Sequence, residues 1–367
     1  MKLAIVAGEA SGDLHAAEVV RELKALDPTL ETFGIGGDLL GAEGMRVLHH
    51  AKEMGIVGLF NVLRQYRKFR RIFDDMVAAL SVEKPDGVML VDYPGFNLRL
   101  AEKCRELGLR VVYYISPQVW AWRQGRVKQI EQVVDRMIVL FPFEEEFYAK
   151  HRVPVTYVGH PLIDELGGVR RADEPPHEPL RVTLLPGSRK HEVRTLLPAM
   201  LDAVAVLQKE RAVDAWIVRA PTIAAAELLE LMSRSGVIVR IESHGAESIA
   251  AADVALSSSG TATLECAVVG VPVIVMYRLT RATHWIAQRV VKVPHFSLVN
   301  IVAGKKVVPE LIQHDVNGQR IASEVRAMCA PEAHARLRAE LAAVREKLGG
   351  PGASRRAAET IMGTLTA

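Results

Sequence analysis

A chain of 367 residues is too long for one comfortable hydrophobic core, so two domains are expected. Hydrophobic residues make up 49% and the formal net charge is only +3, which excludes wholesale nucleic-acid binding and leaves any basic function to a local patch. Three cysteines, Cys104, Cys266 and Cys329, are odd in number and far apart; they fit neither a disulfide framework nor a zinc site and point to a reducing cytoplasm. The chain opens directly into a strand without the layout of a signal peptide, and no run approaches the roughly eighteen apolar residues of a membrane span.

Strands are predicted over residues 3–7, 32–35, 88–92, 110–116, 137–141 and 155–158, with helical patterns between most of them. Residues 163–180 turn polar and broken, as a linker does, and the pattern restarts over 181–185, 215–218, 237–241, 254–256 and 273–277. Such alternation means βαβ units and parallel sheets covered on both faces. The economical architecture is α/β: two doubly wound Rossmann-like domains, 1–162 and 181–342, facing across a cleft that holds the ligand at the carboxyl ends of the strands. The last residues, 343–367, are helical, break at Gly349-Gly-Pro-Gly352, and are free to pack back on the first domain.

The turn after the first strand offers Gly8 and Gly12 for backbone freedom and Ser11 or Asp13 as helix caps. It lacks Gly-x-Gly-x-x-Gly, and the second strand ends without an acid, which disfavours an NAD-dependent dehydrogenase. The Walker pattern and the Gly-x-Ser-x-Gly elbow are missing as well. Over 54–80, Leu59, Val62, Leu63, Tyr66, Phe69, Phe73, Met76, Val77 and Leu80 form an apolar stripe, and Arg64, Arg67, Lys68 and Arg71 form a basic one. A core-packing helix with a solvated basic face explains this; so does a patch for anionic lipid beside a greasy entrance.

Asp92 ends an otherwise apolar strand, where a carboxylate at the carboxyl edge of the sheet suits a general base for an attacking hydroxyl. Its alternative role is capping a helix that begins near Asn97, which Asn97 can do itself. Residues 113–126 concentrate aromatic, amide and guanidinium groups. Trp120 and Trp122 suit stacking on a sugar or lining an acyl path, Arg123 and Arg126 suit a phosphate, and a packed aromatic loop explains the same residues.

Two small-residue turns follow strands in the second half, Leu184-Leu-Pro-Gly-Ser-Arg189 with Glu192, and Ser257-Ser-Ser-Gly-Thr-Ala-Thr-Leu-Glu265. Helix N-termini there leave N–H groups for an anion. Ser188, Ser259, Gly260 and Thr261 let a phosphate approach the backbone, Arg189 can clamp a diphosphate, and Glu265 can accept ribose hydroxyls. An ordinary capped helix accounts for either turn alone; the pair makes a two-sided phosphate cradle. Neither His-Glu-x-x-His nor Asp-x-Asp occurs, so no metal is assigned, and leaving-group charge falls to Arg189 and helix termini.

Five motifs together resemble the lipid-A-disaccharide synthase family over essentially the whole chain. They are Gly8-Glu-Ala-Ser-Gly-Asp13, the Ser116-Pro-Gln-Val-Trp-Ala-Trp-Arg123 loop, Val158-Gly-His-Pro161, Leu185-Pro-Gly-Ser-Arg189 and Ser259-Gly-Thr-Ala-Thr-Leu-Glu265. The first two are specific to that family; the last is shared with other nucleotide-sugar glycosyltransferases of the GT-B fold. The resemblance implies an inverting, metal-independent transferase without a cofactor, joining UDP-2,3-diacylglucosamine to 2,3-diacylglucosamine 1-phosphate and releasing UDP. It implies a cytoplasmic enzyme, peripheral on the inner face of the inner membrane of Gram-negative bacteria. It matches Asp92 to the family's functional aspartate and Arg189 to the arginine of its Pro-Gly-Ser-Arg motif. Substrate contacts are implied at Glu9, Ser11, Asp13, Trp120 and Arg123, and a nucleotide-side loop over 296–313 carries Asn300, Glu310 and Gln313. Val299 stands where proline often does, and Gly95 where an acid often does, leaving Asp92 as the sole carboxylate of its motif. A homodimer through a C-terminal segment that crosses back or swaps is implied too. The rivals are another GT-B enzyme on an unacylated UDP-sugar, such as an epimerase, and a non-catalytic nucleotide-sugar or lipid-binding protein.

Overall fold

Runs that are apolar along their whole length, rather than on alternate residues, suit strands buried on both faces. In a computed structural model, which describes residues 1–54, 62–122, 124–278 and 294–366, these runs form two all-parallel sheets. Each sheet belongs to its own unit, Met1–Pro161 with Gly349–Ala367, and Leu162–Leu348.

The first sheet has the order β3-β2-β1-β4-β5-β6-β7. Its strands are β1 Lys2–Ala7, β2 Glu31–Gly36, β3 Arg46–His50, β4 Gly87–Val91, β5 Val111–Tyr114, β6 Arg136–Val139 and β7 Val155–Tyr157. One face is covered by Ile72, Met76 and Leu80 of the helix Val62–Glu83, packed with Phe33 and Tyr113. Over the other face lie Ala16, Val20 and Leu23 of the helix Ala10–Leu26. Ala357, Ala358 and Ile361 of the final helix, Ala353–Thr366, join that same cluster, and Arg356 Nε donates to the Val158 carbonyl at 2.8 Å. The chain therefore returns to the first unit at Gly349, past the expected position 343, because the helix Pro331–Lys347 runs unbroken through it.

The second sheet has the order β10-β9-β8-β11-β12-β13. Its strands are β8 Leu180–Leu185, β9 Val213–Arg219, β10 Arg240–Ser243, β11 Val254–Ser258, β12 Val273–Tyr277 and β13 Glu310–Ile312. The polar stretch after residue 162 is pinned rather than loose. Arg171 is buried, its Nη2 2.6 Å from Asp253 Oδ1 and its Nε donating to the Ala252 carbonyl at 2.9 Å. Two strands escape the sequence reading. β3 carries Arg46, His49 and His50 in a run with little apolar signal, and β13 has three residues; both are edge strands recognisable only from their partners β2 and β12. No helix among the described residues is long and apolar enough to cross a membrane.

Candidate functional site

Doubly wound sheets bind ligands at the carboxyl ends of strands where the strand order reverses, because the loops there leave in opposite directions and open a crevice. The first unit reverses between β1 and β4. Immediately after β4, Asp92 and Tyr93 take φ of 44° and 47°, left-handed backbone that costs a non-glycine residue about 1–3 kcal/mol and persists only where neighbours enforce it. Those neighbours are visible. The Tyr113 hydroxyl donates to the Asp92 carbonyl at 2.5 Å, Asn97 Nδ2 donates to it at 2.8 Å, and the Tyr93 hydroxyl donates to the Met54 carbonyl at 3.0 Å. From β1, Gly8 passes so close that a Cβ there would lie 2.9 Å from the Tyr93 ring. The helix after this turn starts at Pro94, not near Asn97; Asn97 caps nothing, and its amide reaches back to the carbonyls of Val91 and Asp92.

Asp92 lines two cavities. One, of about 680 Å³, is walled by Phe69, Phe73, Tyr93 and Phe96 with Glu9 and Arg99; the other, of about 260 Å³, by Ser116, Gln118, Trp120, Phe141 and Glu144. Burial, reinforced by the Glu9 carboxylate, pushes the Asp92 carboxyl up to about 6 against the downward pull of the Tyr93 N–H. That value lies close to the range in which a general base is effective at neutral pH.

Glu144 is a residue that sequence reasoning missed. It sits in a run of three glutamates that reads as solvated surface, yet it is buried. Its Oε1 accepts from Ser116 Oγ at 2.6 Å and from Trp120 Nε1 at 3.1 Å, and burial raises its carboxyl to about 7. Trp120 is thereby fixed, its ring packed edge-to-face on Phe143 at 4.9 Å between centroids while it lines the smaller cavity. The packed loop and the site wall are one structure.

The other expected substrate contacts separate. Glu9 lines the larger cavity, whereas Ser11 is exposed and lines neither. Asp13 is buried and spends its carboxylate on backbone amides, accepting from Gly37 at 2.6 Å, Leu39 at 3.0 Å and Leu40 at 3.3 Å. It caps the short helix Asp38–Ala42 and lines neither cavity. Arg123, the Trp122 side chain, residues 55–61 and the side chains of Val62, Leu63, Arg64 and Tyr66 lie outside the described residues. Arg126 lines neither cavity.

The second unit reverses between β8 and β11. Strand β11 extends through buried Ser257 and Ser258, so the turn starts at Ser259, later than the sequence suggests. Gly187, with φ 116°, allows the two turns to approach: a Cβ there would lie 2.5 Å from Glu192 Oε2 and 3.3 Å from Ser258 Oγ. The helices Lys190–Gln208 and Thr261–Val269 start from these turns. Ser188, Arg189, Ser259, Gly260, Thr261, His244 and Glu265 all line one cavity of about 280 Å³. Two helix N-termini at one cavity favour an anion. Arg189 is 81% exposed and, among the described residues, held only by Glu192, its Nη1 2.8 Å from Oε1, so its guanidinium is available to a ligand. Glu265 lies with its Oε2 2.9 Å from His244 Nε2, and the carboxylate holds that imidazole above its ordinary value.

Asn300 is buried and committed: its Oδ1 accepts from the amides of Val307 and Val308, and its Nδ2 donates to Val308 O and to Glu310 Oε1. Glu310 Oε1 also accepts from the amides of Phe296 and Ser297. Both residues brace the loop, and Ser259 Oγ ties that loop to the cradle by donating to the Phe296 carbonyl at 3.3 Å. Gln313 follows β13, where its carbonyl accepts from Arg278 Nε at 3.2 Å.

A family profile described as lipid-A-disaccharide synthetase matches residues 3–360. The lipid-A-disaccharide synthase of Myxococcus xanthus is 40% identical, covering 99% of this chain and 97% of that protein, and the one of Geobacter sulfurreducens is 42% identical over the same shares. Among solved structures, Acinetobacter baumannii MurG aligns with a TM-score of 0.62 at 15% identity over 99% of both chains. The calicheamicin glycosyltransferase CalG4 aligns at 0.62 and 15%, over 100% of this chain and 98% of its own. These likenesses place the fold in the GT-B class.

Proposed function

This chain belongs to the lipid-A-disaccharide synthase family, glycosyltransferases of lipid A biosynthesis, and from that premise we propose that it joins UDP-2,3-diacylglucosamine to 2,3-diacylglucosamine 1-phosphate with inversion. The acceptor's 6-hydroxyl attacks the donor's anomeric carbon in line with the diphosphate. The new C–O bond forms as the bond to the diphosphate breaks, the hydroxyl proton passes to Asp92, and UDP leaves. Arg189 and the amides around Ser259, Gly260 and Thr261 receive the charge that grows on the leaving group, the kind of fixed dipole and cation placement that lowers such a barrier most. With the positive charge supplied in this way, and no Asp-x-Asp pair in the sequence, the reaction needs no metal and no cofactor. The acylated substrates make the enzyme a peripheral one, at the inner face of the inner membrane, and a homodimer through the C-terminal segment goes with the reading.

One observation carries it: a carboxyl raised to about 6 stands in an enforced left-handed turn at the reversal point of the first sheet and lines both cavities there. The deciding experiment incubates purified protein with both acylated sugars in chelator and looks by mass spectrometry for disaccharide 1-phosphate and UDP. Epimerised UDP-N-acetylglucosamine from an unacylated substrate, with no disaccharide, would replace this reading.

A further inference from the structure

The larger cavity beside Asp92 contains groups that proton transfer does not use. Arg99 lines it from the second turn of the helix Pro94–Glu106 and makes no hydrogen bond or ion pair to another described residue. Arg70, which also lines it, has among the described residues only a loose approach to Asp74, 3.8 Å away, with both side chains largely exposed. Phe69, Phe73 and Phe96 form the apolar wall, Phe73 and Phe96 meeting edge-to-face at 5.5 Å.

Glu9, Asp74 and Asp92 line the same space, so its acids outnumber its two arginines and a bare inorganic anion gains little there. A ligand that joins hydrocarbon to a phosphate gains from both parts, because guanidinium groups hold phosphate oxygens bidentately and the phenyl rings take the chain. We propose that this cavity seats the acceptor, with the sugar phosphate on Arg99 and Arg70 and an acyl chain against Phe69, Phe73 and Phe96. The assignment rests on the function proposed above and adds to it which residues select a phosphorylated, acylated acceptor. Arg99 rides on the helix that directly follows the braced Asp92 turn, so the phosphate anchor and the base are held at a fixed offset, which is what orienting a distant hydroxyl requires.

The test compares wild type, Arg99→Gln and Arg70→Gln on 2,3-diacylglucosamine 1-phosphate and on the same acceptor without its phosphate, in detergent micelles. Arg99→Gln raises KM for the phosphorylated acceptor about tenfold or more, and leaves the donor KM and the phosphate-free acceptor within about twofold, with a smaller effect of the same kind in Arg70→Gln. Equal losses on both acceptors, or none on either, overturn the assignment. Sedimentation with phosphatidylglycerol vesicles separates the other source of an anion: wild-type binding by Arg99→Gln supports the acceptor phosphate. Lost vesicle binding with unchanged acceptor discrimination assigns the cation to lipid headgroups and overturns it. Should wild type form no disaccharide, the function fails on its own account. Calorimetry with the two acceptors then decides the subsite: a preference for the phosphorylated one that Arg99→Gln abolishes upholds it, and equal binding removes it.

Discussion

At the reversal point of the first sheet, two non-glycine residues, Asp92 and Tyr93, are forced into left-handed backbone and one carboxyl is driven out of its ordinary range by burial. At the equivalent point of the second sheet, the unusual backbone falls on Gly187 and Gly260, with φ of 116° and 157°, and the charged groups nearby are an exposed arginine and paired acids. The same topology thus carries two solutions. A base must be aimed and desolvated, so its turn is braced by Tyr113, Asn97 and Tyr93 at a cost in strain. A diphosphate must come close to main-chain amides, so its turns are stripped of side chains and left unstrained.

The largest expected effect removes the first solution alone. Asp92→Asn lowers kcat by about 10²–10⁴-fold while UDP affinity by calorimetry stays at the wild-type value; equal turnover takes Asp92 out of the base role. The same variant has a stability signature. A carboxyl raised from 3.8 to about 6 by folding withdraws stability as pH rises through that window, fully so above it. Asp92→Asn therefore melts higher than wild type at pH 7, with the gap closing at pH 4.

The second solution is broken from its own side by Arg189→Ala, which weakens UDP binding about tenfold to a hundredfold in calorimetry with no change in melting temperature, since the side chain is 81% exposed. Asp13→Ala sharpens the boundary between site and scaffold. Loss of the acceptor for three backbone amides, two of them buried, costs about 1–3 kcal/mol in denaturant unfolding, while KM for either substrate is unchanged. Smallest is the effect of Glu9→Gln. The acid limb of kcat/KM, placed at about pH 6 by Asp92, moves to lower pH, because the Glu9 carboxylate is the lesser of the two causes that raise it. A limb that stays put leaves burial as the sole cause.

Most of the fold was legible because parallel strands buried on both faces are apolar throughout, and that signal needs no partner to be seen. Strands β3 and β13 were not, since β3 carries Arg46, His49 and His50 and β13 opens on Glu310, which leaves each too short an apolar run to read. Within the site, Arg189, Ser259, Gly260 and Thr261 could be read from small residues following strands, and Asp92 from a lone acid ending an apolar run. Asp13 carried the same kind of signal, a polar group beside a turn, while Asn300 was implied by the family resemblance alone; tertiary contacts turned both into buried anchors. Glu144 showed the converse: an acid in a charged run became the buried acceptor that fixes Trp120.

By itself the sequence determined the two parallel sheets, the turns that follow their strands, and the chemical type of each candidate group, because periodicity and residue type are local properties. Only the tertiary structure decided which polar side chains remain free to meet a ligand. That depends on which backbone amides and carbonyls need a partner once the strands are aligned, and on how much water each group has lost.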